Sequence, residues 1–133
     1  MKIFYFTGSG NSLFTARKIS DATGAELISI PQVIGEQREY ADDCIGFVYP
    51  QYAVGLPKMV RVFILNNTFR ADYFFAVDLY AFIRFGALRE IAGLIPLNYG
   101  AYLKTPGNFI FMIGPPKNPV AILKKWKNGL TKL

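Results

Sequence analysis

The chain has 133 residues, 52% of them hydrophobic and 18% charged, so it is long enough to bury a core of its own and too apolar to be a disordered segment. A single cysteine, Cys44, and no histidine exclude an internal disulfide, an iron–sulfur cluster held by this chain alone, His-based metal sites, and Ser-His-Asp or Cys-His catalysis. The net charge of +6 belongs wholly to residues 66–133, with nine Lys and Arg against three acids, whereas residues 1–65 balance six against six; a one-sided basic region attracts anions such as a phosphate cofactor or an acidic partner.

Lys2–Phe6 is a short apolar run of aromatic and β-branched residues and predicts a buried first strand. A Gly- and Ser-rich turn follows at Thr7–Ser12. Leu13, Ala16, Ile19 and Ser20 then share one helical face, and Gly24 stands where that helix should end. Glu26–Ile30 reads as a second strand stopped by Pro31, and residues 31–43 as a polar, turn-rich stretch. Cys44–Tyr49 predicts a third strand opened by a small buried cysteine, and Pro50–Pro57 a loop. Pro57 suits the first turn of a helix whose core face is Met59, Val60, Phe63 and Ile64. Tyr73–Val77 reads as a fourth strand and Gly86–Ile95 as a short helix stopped by Pro96. Gly100–Lys104 and Phe109–Ile113 predict a fifth strand interrupted near Pro106-Gly107. Residues 119–133 predict a terminal helix anchored by Trp126.

Strands apolar on both faces and alternating with helices specify a parallel sheet covered on both sides, here in one domain over residues 1–133. In such sheets ligands sit beyond the carboxyl ends of the strands, where the strand order reverses. That singles out three loops: Thr7–Ser12, Pro50–Gly55 and Asp78–Phe85. No stretch of about 18 apolar residues is present to span a bilayer, and the first apolar run is too short for a signal peptide, which leads us to expect a cytoplasmic protein. No RNA-binding strand signature is present, so a nucleic-acid partner is not expected.

Thr7-Gly8-Ser9-Gly10-Asn11-Ser12 joins a strand to a helix. Two glycines allow a tight turn, and Thr7, Ser9, Ser12 and Asn11 place hydroxyl and amide donors around one point. The helix that follows adds its free N–H groups and positive end. The loop lacks Lys and Arg, and neutral donors suffice for a phosphate because hydrogen bonds to a charged acceptor are strong. A Walker A loop would require a closing Gly-Lys-Ser/Thr, which is absent. A dinucleotide fingerprint would require a third glycine where Leu13 stands and an acid where the second strand ends Ser29-Ile30-Pro31-Gln32. The remaining alternative to phosphate binding is a Ser/Asn-capped helix without a ligand.

Thr7-Gly8-Ser9-Gly10-Asn11-Ser12 after Lys2-Ile3-Phe4-Tyr5-Phe6 resembles the FMN-phosphate loop of flavodoxins. Tyr49-Pro50-Gln51-Tyr52-Ala53-Val54-Gly55-Leu56-Pro57, Gly86-Ala87-Leu88-Arg89 and Thr105-Pro106-Gly107-Asn108-Phe109 are similar to the flavodoxin-like half of bacterial ferredoxin–flavodoxin fusion proteins. The resemblance covers most of residues 2–113. It implies a flavodoxin-like three-layer α/β sandwich with a five-stranded parallel sheet, order 2-1-3-4-5, noncovalent FMN, and electron transfer without a catalytic side chain. The fusions continue into a cysteine-rich ferredoxin module, whereas this sequence stops at Leu133; electrons are therefore expected to pass to or from separate redox proteins, a reductase or a ferredoxin-type partner, acidic ones among them.

A flavin ring requires a flat slot with aromatic or apolar walls. Pro50, Gln51, Tyr52 and Ala53 offer one wall, with Tyr52 as the stacking candidate. Asp78, Leu79 and Tyr80 are expected to open the loop that closes the other side, where relatives carry a Thr-x-Gly-Gly-like turn in place of Asp78–Ala81. Phe82, Ile83 and Phe85 are expected to cover core or a partner surface. Two alternatives to a carrier share this reading of the fold. One is an NAD(P)H-dependent FMN or quinone reductase. The other is a flavin-free anion-binding or interaction module.

Overall fold

The structure is a computed structural model and describes residues 1–52 and 55–105. Ala53, Phe109–Ile113, Trp126 and the terminal helix expected over 119–133 lie outside the described residues. The elements in chain order are β1 (Lys2–Tyr5), α1 (Asn11–Thr23), β2 (Glu26–Ser29), α2 (Ile30–Val33), β3 (Glu39–Ala41), β4 (Cys44–Pro50), α3 (Lys58–Asn66), β5 (Thr68–Arg70), β6 (Tyr73–Tyr80), α4 (Ala87–Ala92) and β7 (Tyr99–Lys104). Five strands form one parallel sheet in the order β2-β1-β4-β6-β7. Numbered within that sheet alone, this is the expected 2-1-3-4-5.

Side chains alternate across the strands, as the two-residue period requires. On one face Phe4 and Phe47 meet Tyr40, Phe63 and Phe69 in an aromatic cluster whose ring centroids lie 4.7–5.9 Å apart. On the other face Ile3, Val48, Phe75, Val77 and Leu79 pack with Ala16 of α1. Each fully buried large apolar side chain contributes roughly 1.5–3 kcal/mol, so these two layers hold the sheet.

Five details depart from the sequence reading. The second strand ends at Ser29, and Ile30, expected in it, opens α2; the polar stretch 31–43 holds the rest of α2 and β3, and β3 pairs in parallel with β5 as a separate two-stranded sheet. The stacked rings of Tyr40 and Phe69, 5.6 Å apart, join those two strands to the aromatic cluster. The buried face of α1 is Ser12, Thr15 and Ala16 rather than one led by Leu13; Thr15 is accommodated because its hydroxyl donates to the Asn11 carbonyl at 3.0 Å. Met59 of α3 is 36% exposed, leaving Val60, Phe63 and Ile64 as that helix's core residues. The fourth main strand does not stop at Val77 but continues to Tyr80.

Candidate functional site

Beyond Tyr5 the Phe6 amide still bonds the Val48 carbonyl at 3.0 Å, and the chain then turns sharply. Thr7 Oγ1 accepts the Gly10 amide at 2.9 Å. Gly10 takes φ +95°, a left-handed conformation that favours glycine, and its carbonyl accepts the Phe14 amide at 2.9 Å to start α1. The amides of Asn11, Ser12 and Leu13 precede that first helical bond and have no acceptor within the helix. Ser12 is 1% exposed, and its Oγ has no hydrogen-bond partner among the described residues. Gly8, Ser9 and Gly10 are open to solvent. The loop is therefore a set of unspent neutral donors at the positive end of a helix.

Tyr52 leans over this loop. A β-carbon at Gly8 would meet the Tyr52 hydroxyl, the tip of an exposed side chain, so glycine there lets the ring lie this close. The Tyr52 ring stands edge-on to Phe6 at 5.6 Å and is 46% exposed. Its backbone exchanges two hydrogen bonds with Gly55, at 3.1 and 2.9 Å, which closes a tight turn. The segment is tied down at three further points. The Gln51 amide donates to the Leu79 carbonyl at 2.8 Å. The Gln51 side chain donates to the Ile83 carbonyl at 2.8 Å and accepts the Phe85 amide at 2.7 Å. Glu90 of α4 accepts the Leu56 amide at 3.3 Å and pairs with Arg61 of α3.

Asp78, Leu79 and Tyr80 lie in β6, not in the loop after it. Asp78 is fully buried beside its register partner Tyr49. Neither carboxyl oxygen of Asp78 nor the Tyr49 hydroxyl has a partner among the described residues. Burial pushes the Asp78 carboxyl up to about 7. Burial, and then the charge of Asp78, push the Tyr49 phenol above its ordinary range. Leu79 is buried on the opposite face. Of the three, Tyr80 alone keeps its side chain partly at the surface, with the Arg84 guanidinium 6.0 Å from its ring centroid. The connecting loop is thus Ala81–Gly86, and in it Phe82, Ile83 and Phe85 are exposed rather than packed in the core.

No protein-family model matches the chain, and no curated protein matches it. Solved structures do. The two-electron-reduced flavodoxin of Megasphaera elsdenii superposes with a TM-score of 0.57 at 13% identity, over 99% of this chain and 98% of that one. The Trp repressor binding protein of Bacillus subtilis gives 0.60 at 13% identity, over 99% and 96%. An azoreductase of Bacillus anthracis gives 0.57 at 8% identity, over 99% and 96%. The chain has the flavodoxin-like α/β fold. At these identities the likeness concerns the fold alone.

In this flavodoxin-like sheet the order reverses between β1 and β4, and the loops after those two strands flank the gap. The structure brings Thr7–Ser12, Pro50–Tyr52 and Tyr80 to that end, and holds the side chains of Asp78 and Leu79 inside the sheet's two core layers. Sequence reasoning did not find Glu90 and Arg61, which fasten the second loop. Glu90 is one of four charges, with Asp78, Arg84 and Arg89, that interrupt the apolar zone from Phe74 to Leu103, and nothing local singles it out. Cys44 is half-buried, and burial pushes its thiol up, away from nucleophilic character.

Proposed function

We propose that the chain is an electron carrier that holds FMN noncovalently. Thr7, Gly8, Ser9, Gly10, Asn11 and Ser12 hold the phosphate, and Pro50, Gln51, Tyr52 and Tyr80 border the ring. The observation that carries this reading is the buried Ser12 hydroxyl, unpartnered among the described residues, beside the amides that open α1 and have no acceptor within the helix. A buried hydroxyl without a partner costs on the order of 1–3 kcal/mol, and a phosphate oxygen would satisfy it. The donor set fits that group: all neutral, all at a helix N-terminus, with no acid in the loop. When bound, flavin supplies one- and two-electron chemistry. The chain's own part is to bind, to orient and to exclude water. Tyr52 covers the Thr7–Ser12 loop from above, and Gln51 ties Tyr52's own loop, after β4, to the Ala81–Gly86 loop.

The test is titration of the full chain with FMN and with riboflavin, followed by quenching of flavin fluorescence. FMN is expected to bind at least ~100-fold more tightly, since two or three charge-assisted bonds separate the two ligands. Ser9→Glu, which sets a negative charge in the mouth, is expected to abolish FMN retention. Equal affinity for the two ligands, or a Ser9→Glu protein that still binds, would refute the reading.

A second reading, an NAD(P)H-dependent FMN or quinone reductase, draws on the exposed cations Arg84 and Lys104, which could receive an anionic pyridine nucleotide. The two separate in one assay. A reductase oxidises NAD(P)H with a quinone and no added protein; a carrier gives no rate above that of free FMN.

A further inference from the structure

The acids of this chain are sorted along the strand direction. All nine acids fall within the described residues. Glu26, Glu39, Asp42, Asp43 and Asp72 lie at or just before the starts of strands, and some ion pairs gather there: the N-terminal amine on Asp42 at 2.8 Å, and Lys2 on Glu26 at 2.9 Å. Asp21 is in the last turn of α1, which runs back to that same end. Glu36 pairs with Arg38 at 2.8 Å, and the Arg38 amide is held by Asn67 beyond α3. Toward the carboxyl end of the sheet there remain Asp78, fully buried, and Glu90, occupied by Arg61 and the Leu56 amide. That end displays Lys58, Arg84, Arg89 and Lys104, all exposed and none paired with an acid among the described residues.

The same end carries the exposed apolar side chains of the molecule's mouth. Ile83 is 64% exposed, Phe82 54% and Phe85 39%. Their loop is held in shape by Gln51 and by the Tyr102 hydroxyl, which donates to the Phe85 carbonyl at 3.3 Å. Arg84 lies against two ring faces, 5.2 Å from the centroid of Tyr102 and 6.0 Å from that of Tyr80. Such mounting fixes the guanidinium and leaves its N–H edges free for carboxylates. An apolar centre with a charged rim is the anatomy of a protein interface, and exposed apolar side chains grouped this way mark a binding site.

We propose that this end docks an acidic redox protein, whose carboxylates meet Arg84 and Lys104 around an apolar centre of Phe82, Ile83 and Phe85. The identity of the partner as a redox protein rests on the carrier reading above. The charge sign and the apolar centre do not. Cations unpaired among the described residues at the mouth, where the two remaining acids are buried or occupied, steer an anionic surface to this face, whereas the cations Lys2, Arg38 and Arg70 of the far end are paired with acids.

The experiment measures binding of the full chain, with and without FMN, to an acidic ferredoxin-type protein and to a basic cytochrome-type carrier, at ~50 and ~200 mM salt. The acidic protein is expected to bind and the basic one not. Affinity should fall about tenfold or more between the two salt concentrations. Arg84→Glu should weaken binding at least tenfold. Ile83→Ser should weaken it with an unchanged salt dependence. Arg38→Glu, at the far end, should leave it as it was. Thermal melting confirms that each variant is folded. The proposal is overturned if neither carrier binds, if the basic one binds as well, if Arg84→Glu matches the parent, or if anionic vesicles or RNA bind through Arg84 in place of the acidic protein. The flavin reading fails separately. Docking that persists in a chain unable to hold FMN keeps the surface and removes the carrier; FMN binding without docking does the reverse.

Discussion

Asp78 lies in the core with both carboxyl oxygens unpartnered among the described residues, and burial raises it from the ordinary 3.8 to about 7. The unfolded chain ionises this group near the ordinary value, while the folded chain keeps the proton until about 7. Over that window the unfolded state binds fewer protons, so stability falls as pH rises from about 4 to about 7 and is then level. The separation corresponds to a loss on the order of 4 kcal/mol as an upper bound. Asp78→Asn keeps the size and removes the charge. It is expected to raise the melting temperature at pH 8 and to leave it nearly unchanged at pH 4, as thermal denaturation followed by circular dichroism would show. A variant with the parent's pH dependence would mean that the carboxylate is satisfied. This residue also marks a limit of sequence reading. A charge in an apolar run signals the end of a strand, and only the register with Tyr49 shows that β6 carries it inward.

At the scale of elements, the loops after β4 and β6 behave as one unit because Gln51 bonds both the Ile83 carbonyl and the Phe85 amide. Gln51→Ala is expected to speed amide exchange in the Ala81–Gly86 loop and to weaken FMN binding about tenfold. Each lost bond is worth roughly 0.5–1.5 kcal/mol. Unchanged exchange in that loop would show that the two loops are held independently. Within the sheet, a β-carbon at Gly46 would strike the Phe75 ring of the adjacent strand. Gly46→Ala is therefore expected to destabilise the chain by roughly 1–3 kcal/mol, read from urea denaturation. The main strands β1, β4 and β6 were legible because parallel strands are apolar on both faces over consecutive residues. The first loop was legible for a similar reason, since its glycines and hydroxyls are local in sequence. β3 and β5 were not: three residues carry too little periodicity, and each is held by the other through the pairing of Tyr40 with Phe69. The Glu90 contacts to Leu56 and Arg61 are likewise long-range and leave no local pattern.

For the molecule as a whole, the recognition we propose falls at one end of the sheet. Among the described residues most acids lie where the strands begin, and Lys58, Arg84, Arg89 and Lys104, the exposed apolar loop and the donors of α1 lie where they end. At that end Arg84 and Lys104, unpaired among the described residues, attract anions, in our reading first a phosphate and then an acidic surface. Among the described residues no helix is long and apolar enough to cross a membrane. The central claim is that neutral donors at the start of α1 grip a flavin phosphate. It is tested most directly by amide chemical-shift mapping of the isotope-labelled chain during titration with FMN and, separately, with riboflavin. FMN is expected to shift the amides of Ser9, Gly10, Asn11, Ser12 and Leu13, and riboflavin to leave them in place. FMN binding that leaves those amides unmoved, or no FMN binding at all, would contradict the claim.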